Sequence, residues 1–274
     1  MGDFYRKRRQ SLVKLFKRFR VEAFLVTDIR NVRYLTGFSG STGFVFLGPQ
    51  DEVFITDFRY EEQSKKEVQG IDIFIADNYI KAVRQFVRKW KVERIGFEAS
   101  QPYKLYEALQ RFSKPKAIDN LVERLRICKD EAEIAHIKEA ILRAERAFLE
   151  VKPFIKVGKT EREIALRLEE AVKRQGSTKV PFEFIVASGP NSAMPHARPT
   201  ERKISPGDLV VIDWGAEANG YFSDMTRTLL FDGPERSKKI EIYNIVKRAN
   251  VRAIKAVRPD ISVSDVDTEA REYI

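Results

Sequence analysis

Residues 210–228 read VVIDWGAEANGYFSDMTRT, and this stretch decides the fold of the second half of the chain. Residues 209–214 are apolar apart from Asp213, and residues 221–231 are rich in β-branched and aromatic side chains. Asn219-Gly220 between them is a strong short hairpin signal, because both residue types tolerate positive φ. With Asn219 and Gly220 as the central turn residues, Ala218 faces Tyr221. Asp224 then falls opposite Gly215, diagonal to Asp213. Side chains alternate along a strand, so Asp213 and Asp224 share one face. A slip of two in the pairing sum would place them directly opposite, and their separation across the pair is roughly 5–8 Å either way. Thr226 and Thr228 lie on the Asp224 face, where they can hydrogen-bond the carboxylates.

Two like charges so placed destabilise a sheet unless something neutralises them. One resolution is a shared proton with one pKa raised. Another is a cation, and two metal ions about 3.5–4 Å apart suit the spacing. A plainer alternative makes one aspartate a solvated turn residue or a partner of Arg227. The chain has only two histidines, so a metal site here would be dominated by carboxylates. That composition favours Mn²⁺ or Co²⁺, with Zn²⁺ admissible.

The second histidine, His196, sits in GPNSAMPHARPT, a loop braced by three prolines. Loops held by a rigid scaffold often carry function, and a neutral imidazole can donate to a developing oxyanion. A simple turn histidine is the competing reading. His136 lies off the apolar stripe of its helix and is expected to face solvent. The glycines of GFSGSTG at residues 37–43 suggest a phosphate loop, but no Gly-Lys-Ser/Thr ending or helix follows, so a glycine-permitted turn is expected.

The 274 residues suffice for two ordinary domains, and 43% hydrophobic residues supply their cores. No apolar run approaches the ~20 residues of a membrane span. The amino terminus is basic without an apolar segment and so does not resemble a secretory signal. A single cysteine, Cys128, excludes an intrachain disulfide framework and fits a cytoplasmic protein. The net charge of +10 is concentrated around an amphipathic helix near residues 4–19 and is expected to be a solvated face. No nucleic-acid or membrane partner is expected.

Residues 1–118 alternate between strands (AFLVTD, GFVFLG, EVFITD, IDIFIA, RIGFE) and helices near 4–19, 60–68, 79–90 and 102–110, the pattern of an α/β domain. SKPKAIDN, residues 113–120, has the composition of a linker, so a second domain is expected over residues 119–274. Asp130-Glu-Ala-Glu caps a long helix. A helix over residues 161–175, the strand-like PFEFIVAS, the His196 loop, the hairpin and a helix over residues 234–257 follow.

The stretches ASGPNSAMPHARPT and GDLVVIDWGAEANGYFSDMTRT resemble the creatinase/aminopeptidase P/prolidase superfamily, whose catalytic domain has the pita-bread fold. NVRYLTGFSGSTG and TDFRYEEQ are similar to its amino-terminal domain, above all in Xaa-Pro dipeptidases and aminopeptidases P. NLVERLRICKDEAEIAHIKEA resembles the start of the catalytic domain. The resemblance implies a creatinase-like α/β domain followed by a partial pita-bread catalytic domain. It implies two divalent metal ions (Mn, Co or Zn), with Asp213 chelating one and Asp224 bridging both, and His196 beside the scissile bond. It implies hydrolysis of the bond before proline in Xaa-Pro dipeptides or peptide amino termini, through a water that the metals activate. It implies a proline-containing peptide as substrate and a homodimer, with Arg59 and Tyr60 as candidates for covering a neighbour's site.

The family's remaining ligands, a histidine and two glutamates, follow a D-x-x-x-R helix, which here is Asp267-Thr-Glu-Ala-Arg271. The chain ends at Ile274. The expectation is therefore an incomplete metal site and little activity from these 274 residues alone. The alternatives are a non-catalytic pita-bread binding module and a creatinase-like amidinohydrolase that uses the fold without metal. Retention of both aspartates argues against each.

Overall fold

The computed structural model describes residues 2–274, which form two compact units dividing between Lys129 and Asp130. The first unit runs α1 (Gly2–Phe19), β1 (Ala23–Val26), α2 (Ile29–Thr36), β2 (Phe44–Leu47), β3 (Glu52–Thr56), α3 (Glu61–Glu67) and β4 (Asp72–Ile75). It continues through α4 (Tyr79–Trp90), β5 (Arg94–Glu98), α5 (Tyr103–Gln110), β6 (Lys114–Ile118) and α6 (Leu121–Arg126). The six strands lie in the order β4-β3-β2-β1-β5-β6. β2 is antiparallel to both its neighbours, and the outer pairs are parallel.

Strand alternation divides the core of this unit. Phe24 and Val26 face α1, α2 and α6, whereas Ala23 and Leu25 face α4 and α5. Residues 113–120, expected as a linker, hold the edge strand β6 instead, with Pro115 opposite Ile95. An edge position tolerates a proline because its outer side needs no ladder donor, and that proline is what made the stretch resemble a linker. The change of domain comes after α6, not at 118/119, because Leu121 and Val122 are buried in the first unit's core. The basic face of α1 also has an exception. Arg9 is fully buried and donates to the carbonyls of Leu35 and Gly70 and to Glu52.

The second unit runs α7 (Glu131–Val151), α8 (Glu161–Arg174), β7 (Ile185–Ser188), β8 (Leu209–Trp214), β9 (Glu217–Ala218), β10 (Tyr221–Phe222), β11 (Met225–Leu230), α9 (Arg236–Ala256) and α10 (Val263–Arg271). β8 lies between β7 and β11, antiparallel to both. Val210, Ile212 and Trp214 point from β8 into a core shared with Ile164, Leu168 and Val172 of α8 and Ala144, Phe148 and Val151 of α7. Capping boxes start both helices, Asp130 with Glu133 and Thr160 with Glu163. The face that α7 buries runs through Ala140, Ala144 and Ala147, while Ile134, Ile141 and Leu149 stay exposed. Small residues let the hairpin approach the helix closely. α9 and α10 pack against each other and leave Ile242, Val246 and Ile254 exposed.

Candidate active site

The turn at the hairpin tip has Asn219 at φ 49° and Gly220 at φ 79°, the left-handed pair that the Asn-Gly signal predicts. Tyr221 pairs with Ala218, Met225 with Trp214 and Thr226 with Asp213, so Asp224 is opposite Gly215. Gly215 has a steric role, since a Cβ there would lie 2.0 Å from the carbonyl oxygen of Ser223. The residues beside the aspartates fix the hairpin to α7. Trp214 Nε1 donates to the Ala144 carbonyl at 3.0 Å, and Ser223 Oγ donates to the Ala140 carbonyl at 3.0 Å. With Trp214 and Ser223 turned into the core, alternation turns Asp213 and Asp224 outward together.

The geometry leaves these carboxyls short of partners. Thr226 Oγ1 donates to Asp213 Oδ1 at 2.8 Å. Burial raises the Asp213 carboxyl above the ordinary range against that bond, and the neighbouring Asp224 raises it further by charge and by a carboxyl–carboxyl hydrogen bond. Arg227 does not pair with the aspartates among the described residues. It sits on the opposite face, over the Trp214 ring at 6.0 Å, and donates to the Thr226 carbonyl. Thr228 shares the aspartate face opposite Val211, without a hydrogen bond to either carboxyl among the described residues.

His196 lies in the loop between β7 and β8 and is exposed, with no hydrogen bond, ion pair or ring contact among the described residues. The loop leaves β7 at Ser188, opposite Val210. Val210 is three residues from Asp213, roughly 10 Å at ordinary strand rise. His136 is half-buried at the hairpin tip rather than facing solvent, with Nδ1 3.1 Å from Asn219 Nδ2 and its ring stacked on Tyr221.

Two acidic residues escaped sequence reasoning. Glu217 is buried and accepts from Gly220 N and from Thr178 N and Oγ1, which secures the turn. Glu161 opens α8 and is fully buried. Its only sequence signal is its place after the capping Thr160, which marks a helix start and does not announce a buried charge.

The chemistry of the pair fits a hard cation. Two carboxylates share a face and crowd one another, and no neighbouring cation among the described residues relieves them. Among the described residues, however, no group of three or more His, Cys, Asp or Glu is assembled to hold a metal.

Residues 135–274 match metallopeptidase family M24, and residues 8–128 match the creatinase/prolidase N-terminal domain. The chain belongs to metallopeptidase family M24. Its first unit is a creatinase-like α/β domain and its second a pita-bread domain. The M24 chain is 34% identical to a solved Xaa-Pro dipeptidase from Bacillus anthracis, with a TM-score of 0.94 over 98% of this chain and 77% of that one. It is 33% identical to a solved X-Pro aminopeptidase from Thermotoga maritima, with a TM-score of 0.85 over 94% of this chain and 76% of that one. It is 31% identical to a Xaa-Pro dipeptidase of Pyrococcus horikoshii, over 99% of this chain and 77% of that relative. No helix among the described residues is long and apolar enough to cross a membrane.

Proposed function

We propose that this chain belongs to a peptidase that cleaves the bond before proline, in Xaa-Pro dipeptides or at the amino terminus of longer peptides. The observation that carries the reading is the pair Asp213 and Asp224, on one face of an antiparallel hairpin and without a neutralising cation among the described residues. The relatives' names, dipeptidase and aminopeptidase, supply the substrate class.

Asp213 and Asp224 would hold two divalent ions, of which Mn²⁺, Co²⁺ and Zn²⁺ suit a carboxylate-rich site. Ions bound there supply Lewis acidity and a water of lowered pKa. Thr226 fixes the orientation of the Asp213 carboxyl by donating to Oδ1. Thr228 would add polar surface beside it. His196, on its exposed loop, would reach the scissile carbonyl and donate a hydrogen bond as negative charge develops on that oxygen. A homodimer in the cytoplasm completes the proposal. Two carboxylates do not saturate two ions, so these 274 residues alone should bind metal weakly and turn over little substrate.

The test is cleavage of a Xaa-Pro dipeptide by the protein isolated from its source, with Mn²⁺ or Co²⁺ added. Cleavage is expected, and Asp224→Asn should lower kcat/KM by about 10³-fold or more. No cleavage of any Xaa-Pro peptide would overturn the reading. Tight binding of two ions by residues 1–274 alone, measured by equilibrium dialysis, would overturn the partial site.

A further inference from the structure

Glu161 is a full negative charge with no exposed surface, at the first position of α8. Burying a carboxylate is costly unless it is thoroughly hydrogen-bonded. Its partners have a particular distribution. Oε1 accepts from Ser188 N and Ser188 Oγ, both at 2.7 Å. Oε2 accepts from Thr200 N at 2.9 Å and Thr200 Oγ1 at 2.6 Å. Asn191 Nδ2 reaches both oxygens, at 3.0 and 3.1 Å. Ser188 is where the chain leaves β7, and Thr200 is where it returns towards α8. One oxygen therefore holds each root of the loop that carries His196.

The surroundings reinforce this arrangement. The returning arm is tied to the start of α8 by Glu161 N to the Arg202 carbonyl and Arg162 N to the Thr200 carbonyl, both at 3.1 Å. Arg202 Nη1 donates to Ser188 Oγ and to Asp208 Oδ2, each at 2.6 Å, linking the two roots again. α8 itself is immobilised by Ile164, Leu168 and Val172 in the core. Between the roots, Pro195 and Pro199 lie on either side of His196 and restrict the loop backbone at their own positions and at Met194 and Arg198. Burial works against ionisation of Glu161, but the bonds from Thr200 and Ser188 outweigh it and hold the carboxyl below its ordinary value. It is thus a charged acceptor for both roots.

We propose that Glu161 is the positioning residue of the His196 loop, a carboxylate whose two oxygens each clamp one end of it. The role of His196 rests on the proposed peptidase function, but the clamp can be measured without metal or substrate. Glu161→Gln keeps the shape but leaves one acceptor oxygen, so the backbone N–H of one root, Ser188 or Thr200, loses its acceptor.

Hydrogen–deuterium exchange of the 274-residue chain is the experiment. In Glu161→Gln, amide exchange over residues 188–200 should rise at least tenfold, while β8 and the interior of α8 remain as in the parent. With only two histidines, the imidazole NMR signals separate cleanly once His136→Gln assigns them. The His196 signal should shift or broaden in Glu161→Gln and the His136 signal should not. If Glu161→Gln does not fold, Thr200→Val, which removes one hydroxyl donor, should raise exchange a few-fold around residues 198–202 alone. Unchanged exchange and an unchanged His196 signal would overturn the proposal. So would loosening spread evenly over the second unit, which would make Glu161 an ordinary core residue. Loosening of the loop together with no Xaa-Pro cleavage in the native protein would uphold the clamp and remove the peptidase reading.

Discussion

Asp213 and Glu161 are carboxylates of the same unit with opposite solutions to the same electrostatic problem. Glu161 is sealed from water and surrounded by donors from Ser188, Asn191 and Thr200, and its ionisation is favoured. Asp213 is half-buried with one donor among the described residues, Thr226, and its other neighbour is a second carboxyl that opposes its ionisation. A sheet that only needed stability would not place Asp224 beside Asp213. The contrast separates a charge that the fold uses for its own cohesion from a pair that no cation among the described residues compensates.

The sharpest way to break that comparison is to remove the satisfied carboxylate. Glu161→Ala leaves the donors of Ser188, Asn191 and Thr200 without their acceptor in a buried site and should destabilise the second unit by roughly 3–5 kcal/mol. Chemical denaturation of the parent and variant measures it, and a change below about 1 kcal/mol would show the hydrogen-bond network to be dispensable.

Acid should act on the same network with a smaller effect. The carboxyls of Glu161 and Asp208 both lie below their ordinary values of 4.5 and 3.8. Burial opposes this in each, and the bonds from Thr200 and Ser188, and from Arg202 and Ser205, overcome it. A group with a depressed native pKa adds stability above its unfolded value and loses it as pH falls towards the native one. The parent's melting temperature should therefore fall as pH drops below about 4.5, and Glu161→Gln should flatten that fall. Equal slopes in parent and variant would break the assignment.

The smallest expected effect has the opposite sign. Asp224→Asn removes a like charge from beside Asp213 and should stabilise the metal-free chain by about 0.2–1 kcal/mol. The same change should weaken Mn²⁺ binding. Stabilisation with loss of binding is the signature of a functional pair, whereas destabilisation would show Asp224 to be a structural residue.

Much of the fold was legible along the chain because local chemistry specified it. Asn219-Gly220 dictated the turn, the turn set the register, and strand parity put Asp213, Asp224 and Thr226 on one face. The strands β1 to β5 and the helices α4, α7 and α8 announced themselves by period and cap. Elements that depend on their neighbours were harder to see. β6 is a strand because β5 offers it an edge, and α6 belongs to the first unit because Leu121 and Val122 find its core.

The sequence by itself determined which residues could carry charge to a common face, since a two-residue alternation and a two-residue turn leave little freedom. Only the tertiary structure decided what each charge would meet there. Arg227, close to Asp224 in sequence, is directed across the sheet to Trp214, while Glu161, distant in sequence, receives Ser188 and Thr200. Hydrogen-bond partners separated by 27 and 39 residues leave no periodic trace in the chain, because such contacts arise from packing rather than from local backbone preference.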